Sequence, residues 1–191
     1  MKKSFLTILL FTLVSIQAIL CANETAAIKV ILDDKFETID KTLWNPTIGV
    51  KLSDGSVTLA DGAMMRAVKP LPQEYTIETK FSLLNPVKSE FSGLKIGNNI
   101  FTVFPDGTAY FICGKQSRRT KIENFKQDEP ITITVTCENA ETLSRYTMWL
   151  NGQRIASAQI DQLSESANTF LIWARKCEMK LYSVKIFQAV K

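Results

Sequence analysis

The sequence contains no histidine. Catalysis by a Ser-His-Asp triad, a Cys-His pair or a histidine general base is therefore excluded, as is any histidine metal ligand. The excess of one charge sign is also small, because 23 lysines and arginines nearly balance 19 aspartates and glutamates over 191 residues. The formal charge of +4 is too small to indicate binding to nucleic acid. The length and the 46% hydrophobic content are typical of one globular domain.

A long hydrophobic run occurs only at the amino terminus. Two lysines precede Phe5–Leu20, an apolar run of 16 residues that is shorter than the roughly 20 residues of a membrane helix. With the small residue Ala22 after it, this layout predicts a secretory signal peptide over residues 1–22. We therefore predict one mature domain over residues 23–191, secreted or periplasmic, with no transmembrane segment. Cleavage removes two lysines and no acid, which leaves 169 residues with a formal charge of +2.

Cysteine is scarce in the predicted mature domain. Cys21 lies in the predicted signal peptide, where a lipid anchor is a minor alternative, although the bulky Leu20 before it departs from bacterial lipoprotein signals. Cys113, Cys137 and Cys177 remain, and export would allow one disulfide among them. Three pairings stay open, as does the alternative of buried free thiols. The lack of a close C-x-x-C spacing argues against a cysteine metal site.

The rest of the chain alternates with a period of two. In Ile131–Cys137, apolar residues alternate with threonine, which predicts a half-buried strand. Asp54-Gly55, Asp106-Gly107 and Asn151-Gly152 separate such runs and predict tight hairpins. We count twelve to thirteen short strands and no amphipathic helix beyond one helical turn over Gln162–Asn168. This pattern predicts a single all-β domain of two packed sheets.

Five segments of the chain follow one another in a recognisable order. They are Leu32–Phe36 with Leu43 and Trp44, the Asp54-Gly55 turn with Val57–Leu59, Tyr75–Phe81, Ile131–Cys137 with Tyr146–Gly152 and Arg154-Ile155, and Met179–Phe187. This order, over residues 28–188, resembles the concanavalin A-like lectin/glucanase superfamily, the jelly-roll sandwiches that include laminin-G-like domains. A weaker resemblance is to 3-keto-disaccharide hydrolase-type domains. The resemblance implies a two-sheet antiparallel jelly-roll sandwich and a carbohydrate or polysaccharide partner.

The resemblance also raises the question of calcium. In many relatives an aspartate just before the closing strand helps to hold a structural calcium ion, but here that segment is Lys176–Lys180. We therefore predict no required cofactor. Asp33, Asp34 and Glu178 are the candidate calcium ligands, since calcium takes carboxylate oxygens.

The acidic residues give little sign of catalysis. Sandwich glycosidases of this superfamily carry Glu-x-Asp-x-x-Glu on one strand, and that triplet is absent here. A glycosidase needs two carboxyl groups about 5–9.5 Å apart, one of them with a raised pKa. Glu78 is a lone acid on a predicted strand. The sequence thus argues against an enzyme and names no catalytic residue, although acids from distant strands could still converge.

Aromatic residues on strands are the candidate ligand contacts, because the apolar face of a sugar ring stacks on a flat ring. Trp149 alternates with core residues and is predicted to face outward. Tyr110 and Arg66 also lie on predicted strands, and the sequence leaves open whether their side chains point into or out of the sandwich. Trp173 lies in a strand that is apolar on both faces, which favours burial, and Trp44 is predicted to fill the core. Ligand binding is assigned to Trp149, Tyr110, Arg66 and Trp173.

One basic cluster is formed by Lys115, Arg118, Arg119 and Lys121. It follows a predicted strand and precedes Pro130, so we predict a loop. The cluster is a candidate contact for an acidic polysaccharide or a phosphate surface, with a solvated loop as the alternative.

Three functional hypotheses follow. The first is an exported, non-catalytic, lectin-like carbohydrate-binding module. The second is a small glycoside-processing enzyme of the same fold. The third is a structural or adhesion sandwich at the cell surface that binds a protein through the basic cluster. The ligand, the oligomeric state and the source organism stay open.

Overall fold

The computed structural model describes residues 28–85, 90–123, 125–126, 129–140, 142–161 and 169–189. Over this part, the chain forms fifteen β-strands and no helix. Residues Lys29–Gln188 make one compact unit. The strands lie in two antiparallel sheets, which confirms the predicted two-sheet sandwich. The predicted helical turn over Gln162–Asn168 and the predicted signal peptide lie outside the described residues.

Sheet A has eight strands. They are β1 (Ile28–Asp34), β3 (Val50–Ser53), β4 (Ser56–Leu59), β6 (Tyr75–Leu84), β11 (Ile131–Ala140), β12 (Leu143–Leu150), β13 (Gln153–Asp161) and β15 (Glu178–Ala189). Seven of them follow the order β13-β12-β11-β6-β15-β4-β3, and β1 pairs with β15 outside this order.

Sheet B has seven strands. They are β2 (Trp44–Pro46), β5 (Met64–Ala67), β7 (Ser92–Ile96), β8 (Asn99–Val103), β9 (Thr108–Cys113), β10 (Gln116–Lys121) and β14 (Phe170–Trp173). Their order is β10-β9-β8-β7-β14-β5-β2. Strand β14 enters between β7 and β5, and β15 enters between β6 and β4 in the other sheet. Each sheet therefore depends on contacts between residues far apart in the sequence.

The predicted hairpin turns form where glycine follows aspartate or asparagine. Asp54 and Gly55 have φ of 49° and 65° between β3 and β4, and Asn151 and Gly152 have φ of 48° and 80° between β12 and β13. Two consecutive positive φ angles match the right-handed twist of the paired strands. These turns bring neighbouring strands into register and so confirm the hairpin predictions.

The core lies between the sheets, where alternate residues of each strand meet. In β11, Ile131, Ile133 and Val135 are buried, whereas the threonines between them are partly exposed. Across the core, the rings of Phe101 in β8 and Tyr146 in β12 stack at a centroid distance of 5.9 Å. Trp44 is fully buried, as predicted, and packs against Phe36 and Phe170 at 6.2 and 6.0 Å.

Two predictions of secondary structure were wrong. The described residues form fifteen strands rather than twelve to thirteen, because β2 is only three residues long and β10 is polar. The segment Lys115–Lys121 is not a loop, since Gln116–Lys121 forms the edge strand β10 and pairs with β9. It has no apolar alternation because five of its six residues are exposed.

The three cysteines of the described residues, Cys113, Cys137 and Cys177, are buried free thiols. Ser92 and Cys177 share a buried hydrogen bond, with 3.0 Å between the hydroxyl oxygen and the sulfur. In the described part of the chain, no helix has the length and apolar character needed to cross a membrane.

Candidate functional site

The outer face of sheet B brings together residues from most of its strands. One row across the sheet pairs Arg119, Tyr110, Thr102, Gly93, Trp173 and Met64 in that order. The next row on the same face pairs Ser117, Ile112, Ile100, Lys95, Leu171, Arg66 and Asn45. Alternation along a strand places both rows away from the core. Three of the predicted ligand contacts, Tyr110, Arg66 and Trp173, therefore share one surface.

Gly93 removes a side chain from the middle of the first row. A Cβ at this position would lie 2.6 Å from the carbonyl oxygen of Phe101 and 2.9 Å from the Cα of Thr102, and φ is +152°. Thr102 is itself fully buried. Consequently no exposed side chain projects from the sheet between Tyr110 and Trp173, and their rings project further than the positions between them.

Four half-buried aromatic residues form a cluster at one end of this face: Phe91, Phe104, Tyr110 and Trp173. Phe91 lies at the centre, with edge-to-face contacts at centroid distances of 5.3 Å to Phe104, 5.7 Å to Tyr110 and 6.2 Å to Trp173. Such contacts hold the rings in fixed orientations and stabilise by about 0.5–1.5 kcal/mol per pair. Trp173 is half-buried in this cluster and not in the core, contrary to the burial that its apolar strand favoured.

Arg119 closes the cluster on the β10 side. Its guanidinium carbon lies 4.8 Å from the ring centre of Tyr110 and 5.3 Å from that of Phe104. A cation over an aromatic face is attracted by the ring quadrupole, and arginine also keeps its five N–H donors available at the edge of its plane. Arg119 thus presents a positive charge beside the rings.

Lys95 and Arg66 flank Leu171 in the second row, one strand away on each side. Neither residue makes an ion pair with any carboxylate of the described residues. A depression of about 650 Å³ opens beside Arg66 and is lined also by Lys41, Asn45 and Val68. The two cations consequently remain available to a ligand on this face.

Two acidic groups in loops beside sheet B, Glu90 and Asp106, pair with cations. Glu90 accepts from the Nζ of Lys176 at 2.8 Å and lies 3.1 Å from the Nε of Arg175. The hydrogen bond from Lys176 lowers the pKa of this carboxyl. Asp106 lies 3.1 Å from the Nζ of Lys121 and also accepts from Thr108.

The predicted basic cluster is divided by the alternation of β10. Arg119 and Lys121 point to the outer side of sheet B with Tyr110, whereas Arg118 pairs with the core residue Phe111 and lies on the other side of the edge strand. Lys115 is exposed in the turn before β10. Of the four residues, Arg119 alone contacts the aromatic cluster.

Trp149 lies on the opposite surface of the sandwich. It is half-buried on the outer face of sheet A, between Thr134 of β11 and Arg154 of β13. Two sheets separate it from Tyr110, Arg66 and Trp173, so the four predicted ligand contacts do not form one site.

The three candidate calcium ligands do not converge in the described residues, which contain no group of three acidic or cysteine side chains able to hold a metal. Asp34 is occupied by the protein itself. Its carboxylate accepts from the backbone N–H of Phe36 and from the indole N–H of the buried Trp44, both at 2.7 Å. Asp33 faces Lys185 at 3.7 Å, and Glu178 is exposed at the start of β15.

Sequence reasoning missed Phe91, Phe104 and Gly93. A signal was present, because Phe91, Gly93 and Lys95 alternate with Ser92, Leu94 and Ile96, of which the last two are core residues. That alternation places Phe91 on the same side as Lys95. Ser92 and Gly93 hide this alternation, because they interrupt the apolar pattern.

No family model matches this sequence, and no curated protein matches it. Solved structures do match. An endo-acting O-glycanase of the human gut microbiota aligns with a TM-score of 0.62 at 12% identity, over 85% of this chain and all of that chain. The endo-1,3-beta-glucanase of Streptomyces sioyaensis gives 0.64 at 9% identity, over 86% of this chain and 97% of that chain.

A structure with a bound sugar matches as well. The exoplasmic/lumenal domain of VIP36, in its Ca²⁺- and Man3GlcNAc-bound form, aligns with a TM-score of 0.55 at 10% identity, over 78% of this chain and 86% of that chain. Identities this low establish the fold and not the activity. The chain has the concanavalin A-like jelly-roll fold that its sequence resembles.

Proposed function

We propose that the protein is an exported, non-catalytic, lectin-like carbohydrate-binding module whose site is the outer face of sheet B. The observation that carries the proposal is the fixed aromatic cluster of Phe91, Phe104, Tyr110 and Trp173 beside unpaired polar and cationic side chains. A sugar ring has one apolar face, which packs on aromatic rings, and hydroxyl groups around its rim. The outer face of sheet B offers partners for both.

The positions of the polar groups suit such a ligand. Tyr110 and Trp173 each carry a polar group at the edge of an apolar ring, so one residue can both stack and hydrogen-bond. Lys95 and Arg66 continue the face beyond Leu171 and can donate to hydroxyl groups of a longer chain. Gly93 leaves the space between the rings free of a side chain.

The fold comparisons support the class of ligand. The neighbours named above comprise an O-glycanase, a glucanase and a domain bound to Man3GlcNAc, all with the same sandwich. They favour carbohydrate over other ligands, and they include both enzymes and binding domains.

The enzymatic alternative is favoured by those hydrolase neighbours and opposed by the chemistry of sheet B. Its seven strands, all within the described residues, contain no aspartate or glutamate. Glu90, just before β7, has a lowered pKa because Lys176 donates to it, whereas a glycosidase acid requires a raised pKa. A binding role therefore fits this face better than hydrolysis.

Titration of the purified protein against a panel of polysaccharides tests the proposal. Trp173→Ala and Tyr110→Ala are expected to weaken binding about tenfold or more, because buried aromatic contacts dominate such interfaces. Trp149→Ala removes a tryptophan from the outer face of sheet A, so a loss confined to that variant would move the site to the other sheet. Circular dichroism must show that each variant is folded. Release of reducing ends by the unaltered protein would show that it is an enzyme and would overturn the proposal of a non-catalytic module.

A further inference from the structure

The two sheets differ sharply in the charges that their strands carry. Sheet B has five basic residues and no acidic residue in its seven strands. The five are Arg66, Lys95, Arg118, Arg119 and Lys121. The eight strands of sheet A mix seven basic residues, Lys29, Lys51, Lys80, Arg145, Arg154, Lys180 and Lys185, with six acidic ones, Asp33, Asp34, Glu78, Glu138, Asp161 and Glu178. Most of the positive excess in the strands is thus concentrated in one sheet.

Alternation then selects which charges reach the proposed site. Arg66, Lys95 and Arg119 lie on the outer face of sheet B, and no described carboxylate forms an ion pair with them. Lys121 is on the same side but is paired with Asp106. Arg118 is on the other side of its strand.

The acids nearest to this face do not cancel its charge. Glu90 has two cationic partners, Arg175 and Lys176, and so contributes no net negative charge locally. Desolvation raises the pKa of the Asp106 carboxyl, but hydrogen bonds from Thr108 and Lys121 outweigh it, so this pKa is lowered. Three free cations therefore surround an aromatic platform with no opposing free acid on the strands.

We infer that the ligand of this face is an acidic glycan, a polysaccharide that carries carboxylate or sulfate groups. The inference rests on the proposed function, because the rings of Tyr110 and Trp173 supply the contact with the sugar. Arg119 and Arg66 match the planar, two-oxygen geometry of a carboxylate, and both also bind sulfate oxygens. Lys95 adds a compact charge between them in the adjacent row.

A neutral glycan would use this face less well. The three unpaired cations are spaced across this face, with Arg119 on β10, Lys95 on β7 and Arg66 on β5, so a ligand with spaced negative charges can meet each of them. The same chemistry makes binding depend on salt, because exposed charges are screened within about 8–10 Å at physiological ionic strength.

Matched polymers separate the charge from the sugar. Polygalacturonic acid is compared with its fully methyl-esterified form, and dextran sulfate with dextran, at 50 and 300 mM NaCl. We expect at least one acidic polymer to bind about tenfold more tightly than its neutral counterpart, and high salt to weaken that binding about fivefold. The two pairs distinguish carboxylate from sulfate as the group recognised.

Each other outcome has a definite meaning. Equal affinity for acidic and neutral polymers, with loss on Trp173→Ala, would retain the carbohydrate site and overturn its preference for acids. No binding to any polysaccharide would overturn the proposed function and this inference with it. Equal binding to poly-L-glutamate that Trp173→Ala leaves intact would reduce the effect to charge attraction and overturn the inference.

Substitutions of single cations give the second test. Lys95→Met and Arg66→Gln are expected to weaken binding of the acidic polymer about threefold each, and the double variant about tenfold, with no change for the neutral polymer. The matched control is Lys51→Met, which removes an exposed lysine from β3 of sheet A. A loss as large in the control would show that net charge alone matters and would overturn the assignment to sheet B.

Discussion

The outer faces of the two sheets are built by the same alternation and carry different chemistry. On sheet A, threonines of β11 line the surface and Trp149 has no aromatic partner among the described residues. On sheet B, four rings contact one another and unpaired cations lie beside them. The inner faces of both sheets, in contrast, supply the hydrophobic core. Packing constrains the inner sides alike, so the outer sides are where the sheets can be specialised.

The largest expected effect concerns the backbone beneath the candidate site. Gly93→Ala should lower the free energy of unfolding by about 3 kcal/mol, because its Cβ would meet the backbone of β8. Gly152→Ala, in a turn of sheet A, has nothing within 4 Å and should lose only about 1 kcal/mol through its φ of +80°. Urea denaturation measures both. Equal losses would mean that sheet B accommodates a side chain at position 93. Packing would then not be the reason why this position lacks one.

A smaller effect separates two adjacent acids at the edge of sheet A. Asp34→Ala should lower the free energy of unfolding by about 2 kcal/mol, since it leaves the indole N–H of fully buried Trp44 without its acceptor. Asp33→Ala removes only an exposed ion pair with Lys185 and should lose less than about 0.5 kcal/mol.

Thermal unfolding with and without a chelator completes that comparison. A structural role for Asp34 predicts the same loss under both conditions. If EDTA destabilised the unaltered protein and had no effect on Asp34→Ala, the carboxylate would be a calcium ligand and the hydrogen bond to Trp44 a secondary feature.

The smallest difference is expected between the buried thiols on the inner faces of the two sheets. Burial raises the pKa of the Cys113 thiol in β9 to about 12 and also raises that of Cys137 in β11. Folding thus favours the protonated thiols, so stability should be constant below pH 9 and fall as the pH rises from about 9 to 12. In a background with Cys21→Ser and Cys177→Ser, neither thiol should react with DTNB at pH 8 until guanidinium unfolds the chain. Reaction of only one of them would show that the two inner faces also differ.

Much of the fold could be predicted from local signals. Alternation identified β11, and the Asn151-Gly152 turn identified the β12–β13 hairpin, in which Leu150 pairs with Gln153. The resemblance to concanavalin A-like sandwiches rested on the order of such elements. These features depend on neighbours in the sequence, and so they are readable there.

The candidate site depends on long-range pairing, which the sequence does not display. Alternation shows that Trp149 and Trp173 each lie on one side of a strand, but not which sheet holds the strand. Trp173 joins Gly93 only because β14 enters between β5 and β7. The edge strand β10 was missed because a strand exposed on both sides has no apolar period.

Strand β10 ends sheet B, and among the described strands it pairs only with β9. Its free backbone edge is a template on which a second copy of the chain could add a strand. Arg118 and Arg119 give two such edges the same charge, and like charges on edge strands oppose this pairing. A polyanion that neutralises these residues would remove the repulsion. Binding of an acidic polymer would then fill the ligand site and also make association between copies of the protein easier.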